Sequence, residues 1–220
     1  MTTITDVLDK PALTKWHREQ VARAAIAHLD WMVSNRGTGN EEATIAYLLA
    51  ARNEGTTGRE RGSRIHAALE SIVRRQPVVV KPEDGPSIEG ARSWLNSHVV
   101  RPIEIEASLI HETLGYGGTC DLIAEIDGII WLLDWKTSKS VAWPNGNVYS
   151  DMRLQLVAYQ RAEFLARPAD PVRYQLPAIT RCGILHVTEG GTRLYPADPT
   201  EDDWIAFRAC LRIHGWKATA

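Results

Sequence analysis

An Asp-Gly pair at residues 127–128 separates two apolar runs, TCDLIAEI and IIWLLDWK, and this arrangement restricts the fold more than any other feature of the chain. Asp-Gly favours a tight type I′ turn, because both central residues of that turn adopt positive φ. The sequence therefore predicts an antiparallel β-hairpin. In the register that the turn imposes, Asp121 lies directly opposite Asp134, with the two Cβ atoms about 5 Å apart.

The charges in this hairpin suggest a chemical role. Since side chains alternate along a strand, Lys136 projects on the same face as Asp134. Neighbouring ionised carboxylates repel each other unless a divalent cation, a shared proton or water offsets the repulsion. Oxygen ligands suit Mg²⁺ or Mn²⁺, and a nearby ammonium suits a phosphate oxygen or a polarised water, which points to phosphodiester hydrolysis. The alternative is an exposed salt bridge near the strand ends. A charge inside such an apolar run, however, is unfavourable unless it has a structural or chemical role.

The composition limits the class of protein. With 220 residues, 44% of them hydrophobic and 24% charged, the chain suits one globular domain with a real core. It has no apolar run of about 18 residues to span a membrane and no apolar signal core at its N-terminus. Three isolated cysteines, Cys120, Cys182 and Cys210, indicate a reducing, cytoplasmic compartment and argue against a disulfide framework. The net charge of −2 means that any nucleic-acid surface is local.

The order of elements along the chain predicts an α/β protein. Apolar periodicity indicates helices over 14–34, 41–53, 64–75, 88–99, 151–166 and 201–214, with a glycine-rich loop over 55–63. Alternating patterns indicate strands over 103–110, 119–126, 129–136 and 181–187, and the last of these forms a late hairpin with RLYP across the turn EGGT. We interpret residues 1–220 as a single domain with a mainly helical part over 1–100, a catalytic α/β core over 101–187, and a C-terminal hairpin and helix over 188–220.

Four short motifs in a fixed order carry a family resemblance. They read Gly-x-x-Ile-His at residues 62–66, Gly-x-x-Asp at 118–121, Asp-x-Lys at 134–136 and Gln-x-x-x-Tyr at 155–159. With the N-terminal stretch PALTKWHREQVARAA, they make the chain resemble the PD-(D/E)XK nuclease superfamily. The likeness is greatest to its RecB-like exonucleases, including the CRISPR-associated and phage-encoded branch, and extends from about residue 10 to residue 165.

The resemblance implies a fold and a metal site. The fold would be a restriction-endonuclease-like core, in which helices flank a mixed central β-sheet, with an N-terminal helical extension. One or two Mg²⁺ or Mn²⁺ ions would be held by Asp121, Asp134 and the main-chain carbonyl of Trp135. His66 would complete the site, although a lone histidine at the flank of an apolar stripe is more often a boundary residue of the core.

The resemblance also assigns roles around the metal. Lys136 would orient the attacking water or stabilise the transition state. Gln155 and Tyr159 are four residues apart on one helix face, so they would brace the lysine or contact DNA, unless they form only the polar rim of an amphipathic helix. Glu106 is a further candidate for the metal site, and Glu104 points to the same face of its strand.

Candidate DNA contacts surround this site. A basic loop before the histidine carries Arg59, Arg61 and Arg64, which would hold phosphates or else form a solvated loop partly neutralised by acidic neighbours. Trp143 would stack on a base of a single-stranded end or pack as a lid on the domain. Lys139 and Arg153 are further candidates.

The resemblance implies a metal-dependent DNA nuclease, an exonuclease rather than an endonuclease, that acts on DNA ends in phage or bacterial recombination, repair or replication. The alternatives are a structure-specific endonuclease and a non-catalytic DNA-end-binding recombination partner that retains the fold. CRISPR-associated relatives commonly carry four cysteines for an iron–sulfur cluster, but no cysteine here precedes Cys120, so we expect no cluster. The expected partners are DNA and a single-strand annealing or other recombination protein. The sequence does not decide whether the protein forms a homo-oligomer. A phage-encoded copy would work in the bacterial host cytoplasm.

Overall fold

The computed structural model of the protein describes residues 2–8, 11–34, 41–51, 54–98, 100–138, 148–167 and 170–219. The chain forms two compact units, one made of Met1–Leu8 and Gly62–Ala220 and the other of Asp9–Arg61. The described helices are α1 (Thr2–Thr5), α2 (Pro11–Ala27), α3 (Leu29–Ser34), α4 (Glu41–Ala51), α5 (Glu54–Val73), α6 (Gly85–Ser97), α7 (Ser150–Gln160) and α8 (Glu201–Thr219), with a 3₁₀ turn at Pro82–Asp84.

The smaller unit contains α2, α3, α4 and the first part of α5. The hydroxyl of Tyr47 on α4 lies 2.9 Å from Nε2 of His28, at the junction of α2 and α3. The sequence predicted one helix over 14–34, and the structure divides it at His28 into two.

The glycine-rich loop predicted over 55–63 is wrong, because α5 is helical from Glu54 onward. The prediction relied on glycine, which lowers helix stability by about 1 kcal/mol relative to alanine. Gly62 has a packing reason to be small, since a Cβ at this position would lie 3.2 Å from Oγ1 of Thr137. The glycine thus lets α5 approach the end of a central strand, one helical turn before His66.

The larger unit is built on a mixed seven-stranded sheet of described strands, in the order β5-β4-β1-β2-β3-β6-β7. The β3 and β6 strands are parallel, and the other neighbouring pairs are antiparallel. This arrangement confirms the predicted α/β class with a restriction-endonuclease-like core. The strands are β1 (Val100–His111), β2 (Tyr116–Ile126), β3 (Ile129–Thr137), β4 (Phe164–Arg167), β5 (Asp170–Tyr174), β6 (Arg181–Thr188) and β7 (Gly191–Pro196).

The hairpin of β2 and β3 has the predicted turn and register. Asp127 and Gly128 have φ values of 50° and 84°, as a type I′ turn requires. Ile126 pairs with Ile129, and pairing continues without a shift for five residue pairs. The short Asp-Gly sequence thus determines which residues of the two central strands face each other.

Helices cover both faces of the sheet. On one face, Ile65 and Leu69 of α5 and Ala91 of α6 pack on a cluster that includes Leu133. On the other face, Leu156 of α7 packs on a cluster of buried side chains from β1, β2, β3, β4 and β6. The α8 and α1 helices pack in turn against α7. Each large side chain fully buried in these clusters stabilises the fold by about 1.5–3 kcal/mol, so the central strands are held rigidly.

Three further boundaries differ from the sequence predictions. The helix predicted over 151–166 ends at Gln160, and two strands that were not predicted, β4 and β5, follow it. They are four and five residues long, too short for a periodic signal, and Pro171 lies on the β5 edge strand, where proline is tolerated. The last helix continues to Thr219 instead of ending at 214.

The described helices include none that is both long enough and apolar enough to cross a membrane. The three cysteines are buried and free, Cys120 and Cys182 in the cluster under α7 and Cys210 in the cluster between α7 and α8.

Candidate active site

Asp121 lies where β2 and β3 separate. Regular pairing of these strands ends one pair short of the two aspartates. The Asp121 carboxylate instead accepts the main-chain N–H of Trp135, and its other oxygen lies 3.3 Å from Nδ1 of His66 on α5. The predicted direct cross-strand pair of Asp121 and Asp134 is therefore wrong in detail, because the side chain of Asp121 replaces the main-chain acceptor that continued pairing would supply.

Asp134 is buried, with only 3% of its surface exposed. Its Oδ1 accepts a hydrogen bond of 2.7 Å from the side-chain amide of Gln155 on α7, and its Oδ2 is paired with the ammonium of Lys136. The oxygen of the same amide lies 3.5 Å from that ammonium. Gln155 therefore contacts both charged groups and orients them relative to each other.

The α7 helix is itself fixed to the sheet by a chain of hydrogen bonds. Gln155 donates to the hydroxyl of Tyr159 at 3.0 Å, and this hydroxyl donates to the main-chain carbonyl of Thr119 at 2.6 Å. Thr119 lies on β2, two residues before Asp121. The predicted Gln-x-x-x-Tyr pair thus connects the two aspartate-bearing strands through one helix face.

Glu106 on β1 has a strained backbone, with a φ of 54°. The residues before and after it pack on opposite faces of the sheet, although residues two apart share a face in a regular strand. Asp121 is the neighbour of Glu106 on β2, and the residues before and after Asp121 likewise pack on opposite faces of the sheet. A left-handed conformation at a residue other than glycine costs about 1–3 kcal/mol and is often found at functional sites.

The carboxylates of this region repel one another. Burial raises the pKa of Asp134, the Lys136 ammonium opposes this rise, and the charge of Asp121 adds to it. Burial also raises the pKa of Glu106 to about 7, with further contributions from the charges of Asp121 and Glu70. For His66, burial lowers the pKa, but the contact with Asp121 outweighs it and leaves the pKa raised. The site therefore concentrates negative charge that a cation would stabilise.

We expect Glu106→Gln to stabilise the metal-free protein at alkaline pH. Because the folded protein holds the Glu106 proton more tightly than the unfolded chain does, the contribution of Glu106 to stability is fully present below about pH 4.5 and is lost as the pH rises through about 7. Glutamine mimics the protonated form at every pH. The melting temperature in EDTA should rise by roughly 2–4 °C at pH 8, which allows for solvent screening at this partly exposed carboxyl, and should be unchanged at pH 4.5.

Glu104→Gln is the matched control. The Glu104 carboxylate binds the guanidinium of Arg167 through bonds of 2.7 and 3.0 Å, so its loss should lower the melting temperature at pH 8. Identical pH profiles for wild type and Glu106→Gln would show that Glu106 does not carry the raised pKa.

The donor groups fit a hard divalent cation. Asp134 Oδ2 is buried and, apart from its pairing with Lys136, has no described hydrogen bond. Within the described parts of the chain, no three acidic, histidine or cysteine side chains are arranged as a metal cage. Mg²⁺ does not need one, since it keeps several waters and binds through one or two carboxylates plus substrate phosphates. The roles assigned to His66, Glu106 and the Trp135 carbonyl as metal ligands stay predictions.

The predicted DNA-contact residues are less available for phosphates than the sequence indicated. The residues of the supposed basic loop belong to α5 instead: Arg59 is exposed, Arg61 is buried, and Arg64 donates to Asp84 at 2.7 and 3.2 Å. Arg153 is bound to Asp203 by bonds of 3.2 and 2.6 Å. Lys139 and Trp143 lie outside the described residues. The arginines of this set that the structure places in ion pairs would have to exchange a carboxylate for a phosphate.

Sequence reasoning did not assign a role to Glu70. It lies one helical turn after His66 on α5, binds Arg74 at 2.8 Å, and its charge contributes to the raised pKa of Glu106. The spacing of four residues from His66 is the signal that places both side chains on one face of α5.

The fold and this cluster define an α/β protein with a restriction-endonuclease-like core and a buried carboxylate–lysine centre. No family model matches the chain. Among curated proteins, it is similar to the mitochondrial genome maintenance exonuclease 1 of Homo sapiens, at 35% identity over 107 residues, which cover 46% of this chain and 30% of the human protein. The protein of the same name from Mus musculus is 35% identical over 105 residues, with 46% and 30% covered. The match thus spans less than a third of the length of these relatives.

Proposed function

We propose that this protein is a metal-dependent DNA nuclease that removes nucleotides from DNA ends. The observation that carries the proposal is the convergence of Asp121, Asp134 and Lys136 at one point of the sheet, braced by Gln155 and His66. The similarity to proteins named as exonucleases supports the same class of activity.

The side chains have distinct roles in this proposal. Asp121 and Asp134 would hold the cation, and the contacts that they make with His66 and Gln155 fix the direction of their oxygens. Lys136, which is partly exposed, would hold the attacking water or stabilise the negative charge that develops on the phosphate. Tyr159 holds Gln155 in place. A bound Mg²⁺ or Mn²⁺ would supply charge neutralisation and a water of lowered pKa.

The proposal is tested by digestion of end-labelled linear DNA with Mg²⁺ or Mn²⁺, with and without EDTA. We expect metal-dependent loss of the label and no attack on covalently closed circular DNA, because a circle has no ends. Cleavage of the circle would indicate an endonuclease instead. Binding of DNA without metal-dependent cleavage would contradict the proposal and favour a non-catalytic end-binding protein.

The biological context of this activity rests on the sequence resemblance alone. We propose that the enzyme works in DNA recombination, repair or replication in a bacterial or phage context, in the cytoplasm, and without an iron–sulfur cluster. A pull-down from host cells with the Lys136→Ala variant on DNA ends would identify a recombination partner. Purified protein run on a calibrated sizing column would report any homo-oligomer.

A further inference from the structure

The outer face of α8 is positively charged. Arg208, Arg212 and Lys217 are exposed there, and the described residues 204–217 include no acidic side chain. The acidic residues of α8 all lie in its first turn. A cation in the last turn complements the helix dipole, which accounts for Lys217 but not for arginines in the middle of the helix.

Arg208 and Arg212 differ from most other arginines of the larger unit. The described ion pairs include none from Arg208 or Arg212, which lie four residues apart on one helix face, about 6 Å along the axis. Most of the others are held by carboxylates, namely Arg64, Arg74, Arg101, Arg153, Arg161, Arg167, Arg173 and Arg181. In a chain of net charge −2, two neighbouring arginines without a described carboxylate partner are a local concentration of positive charge that attracts anions.

An exposed apolar strip runs beside these charges. Ile205, Ile213 and Trp216 are 60%, 45% and 67% exposed. A shallow groove of about 330 Å³ lies between Ala209, Arg212, Ile213 and Trp216. The opposite face of α8 is buried on α7, which leaves this strip facing outward.

We propose that the outer face of α8, defined by Arg208, Arg212, Ile213 and Trp216, binds a single-stranded segment of the DNA substrate. Arginines bind phosphates, and an exposed indole beside them stacks on bases regardless of sequence. The α7 helix, which carries Gln155 and Tyr159, packs against the inner face of α8. DNA on α8 would therefore lie on the helix pair that flanks the candidate active site. This inference rests on the proposed function and specifies how its substrate is held.

The test is fluorescence anisotropy of a labelled single-stranded oligonucleotide in EDTA, measured over a series of salt concentrations. Arg208→Ala/Arg212→Ala should weaken binding about tenfold and lower the slope of log K against log salt by about 1.4, because each lost phosphate contact contributes about 0.7. Trp216→Ala should also weaken binding about tenfold but leave the slope unchanged, since stacking releases no counterions.

Arg101→Ala/Arg173→Ala is the matched control. It removes the same charge from two exposed arginines that carboxylates already hold, so affinity and slope should stay at wild-type values. Thermal unfolding checks that every variant is folded.

The outcomes separate the two proposals. Wild-type protein that cleaves DNA ends, together with α8 variants of unchanged affinity and slope, would overturn the α8 site and leave the nuclease intact; a protein partner would then be the better occupant. An equal loss of affinity in the α8 and control variants would also overturn the α8 site, since the effect would then come from the change in net charge. Wild-type protein that neither binds nor cleaves DNA would contradict both proposals.

Discussion

Lys136→Ala should reduce the rate of DNA cleavage by about 10²–10³-fold, which is the usual loss when one preorganised charge at a transition state is removed. The ammonium of Lys136 is placed between Asp134 and Gln155, and its side chain is partly exposed whereas that of Asp134 is buried. Alanine is compatible with the strand and removes the ammonium together with the aliphatic chain that carries it. The rate is measured by single-turnover digestion of end-labelled DNA with saturating Mg²⁺.

Two measurements accompany this variant. Lys81→Ala removes a lysine from an exposed position in the larger unit and should cleave at the wild-type rate. The melting temperature of Lys136→Ala reports whether the fold survives, which we expect because the Asp134 carboxyl can take up a proton when the ammonium is gone. A folded Lys136→Ala protein with near-wild-type cleavage would remove this lysine from the mechanism.

The sequence predicts the hairpin well because its determinants are local. A turn of two residues sets the register, and alternation then decides the face of each side chain. The same strong local signal places Lys136 beside Asp134, as the structure shows. A helix pattern with Gln155 and Tyr159 on one face is equally local, and their contacts with Asp134 and Thr119 follow once that helix packs on the sheet.

Other features depend on tertiary contacts that no local pattern encodes. The strained Glu106 and the change of faces beside Asp121 are properties of two strands together, and alternation along either strand predicts a regular ladder. The glycines of α5 predict a loop by propensity, but the helix forms and Gly62 packs against Thr137. Arg64 and Arg153 looked available for DNA because their partners, Asp84 and Asp203, are 20 and 50 residues distant in sequence.

Asp134→Asn should abolish measurable binding of Mg²⁺ and Mn²⁺ in isothermal titration calorimetry. Residues that only support a metal ligand already change affinity about 10–100-fold when they are replaced, so loss of a direct ligand should cost at least about 100-fold. Asparagine has nearly the same shape and keeps an oxygen that can accept the hydrogen bond from Gln155. The expected loss therefore comes from the missing negative charge and not from collapse of the site.

Asp203→Asn is the matched control for this experiment, since Asp203 on α8 is also paired with a basic side chain, that of Arg153. It should bind both ions as the wild type does. Equal heats of binding for wild type and Asp134→Asn would mean that the buried carboxylate is a structural partner of Lys136. The raised pKa of Asp134 would then reflect burial beside an ion pair, and the case for a metal-dependent nuclease would lose the observation that carries it.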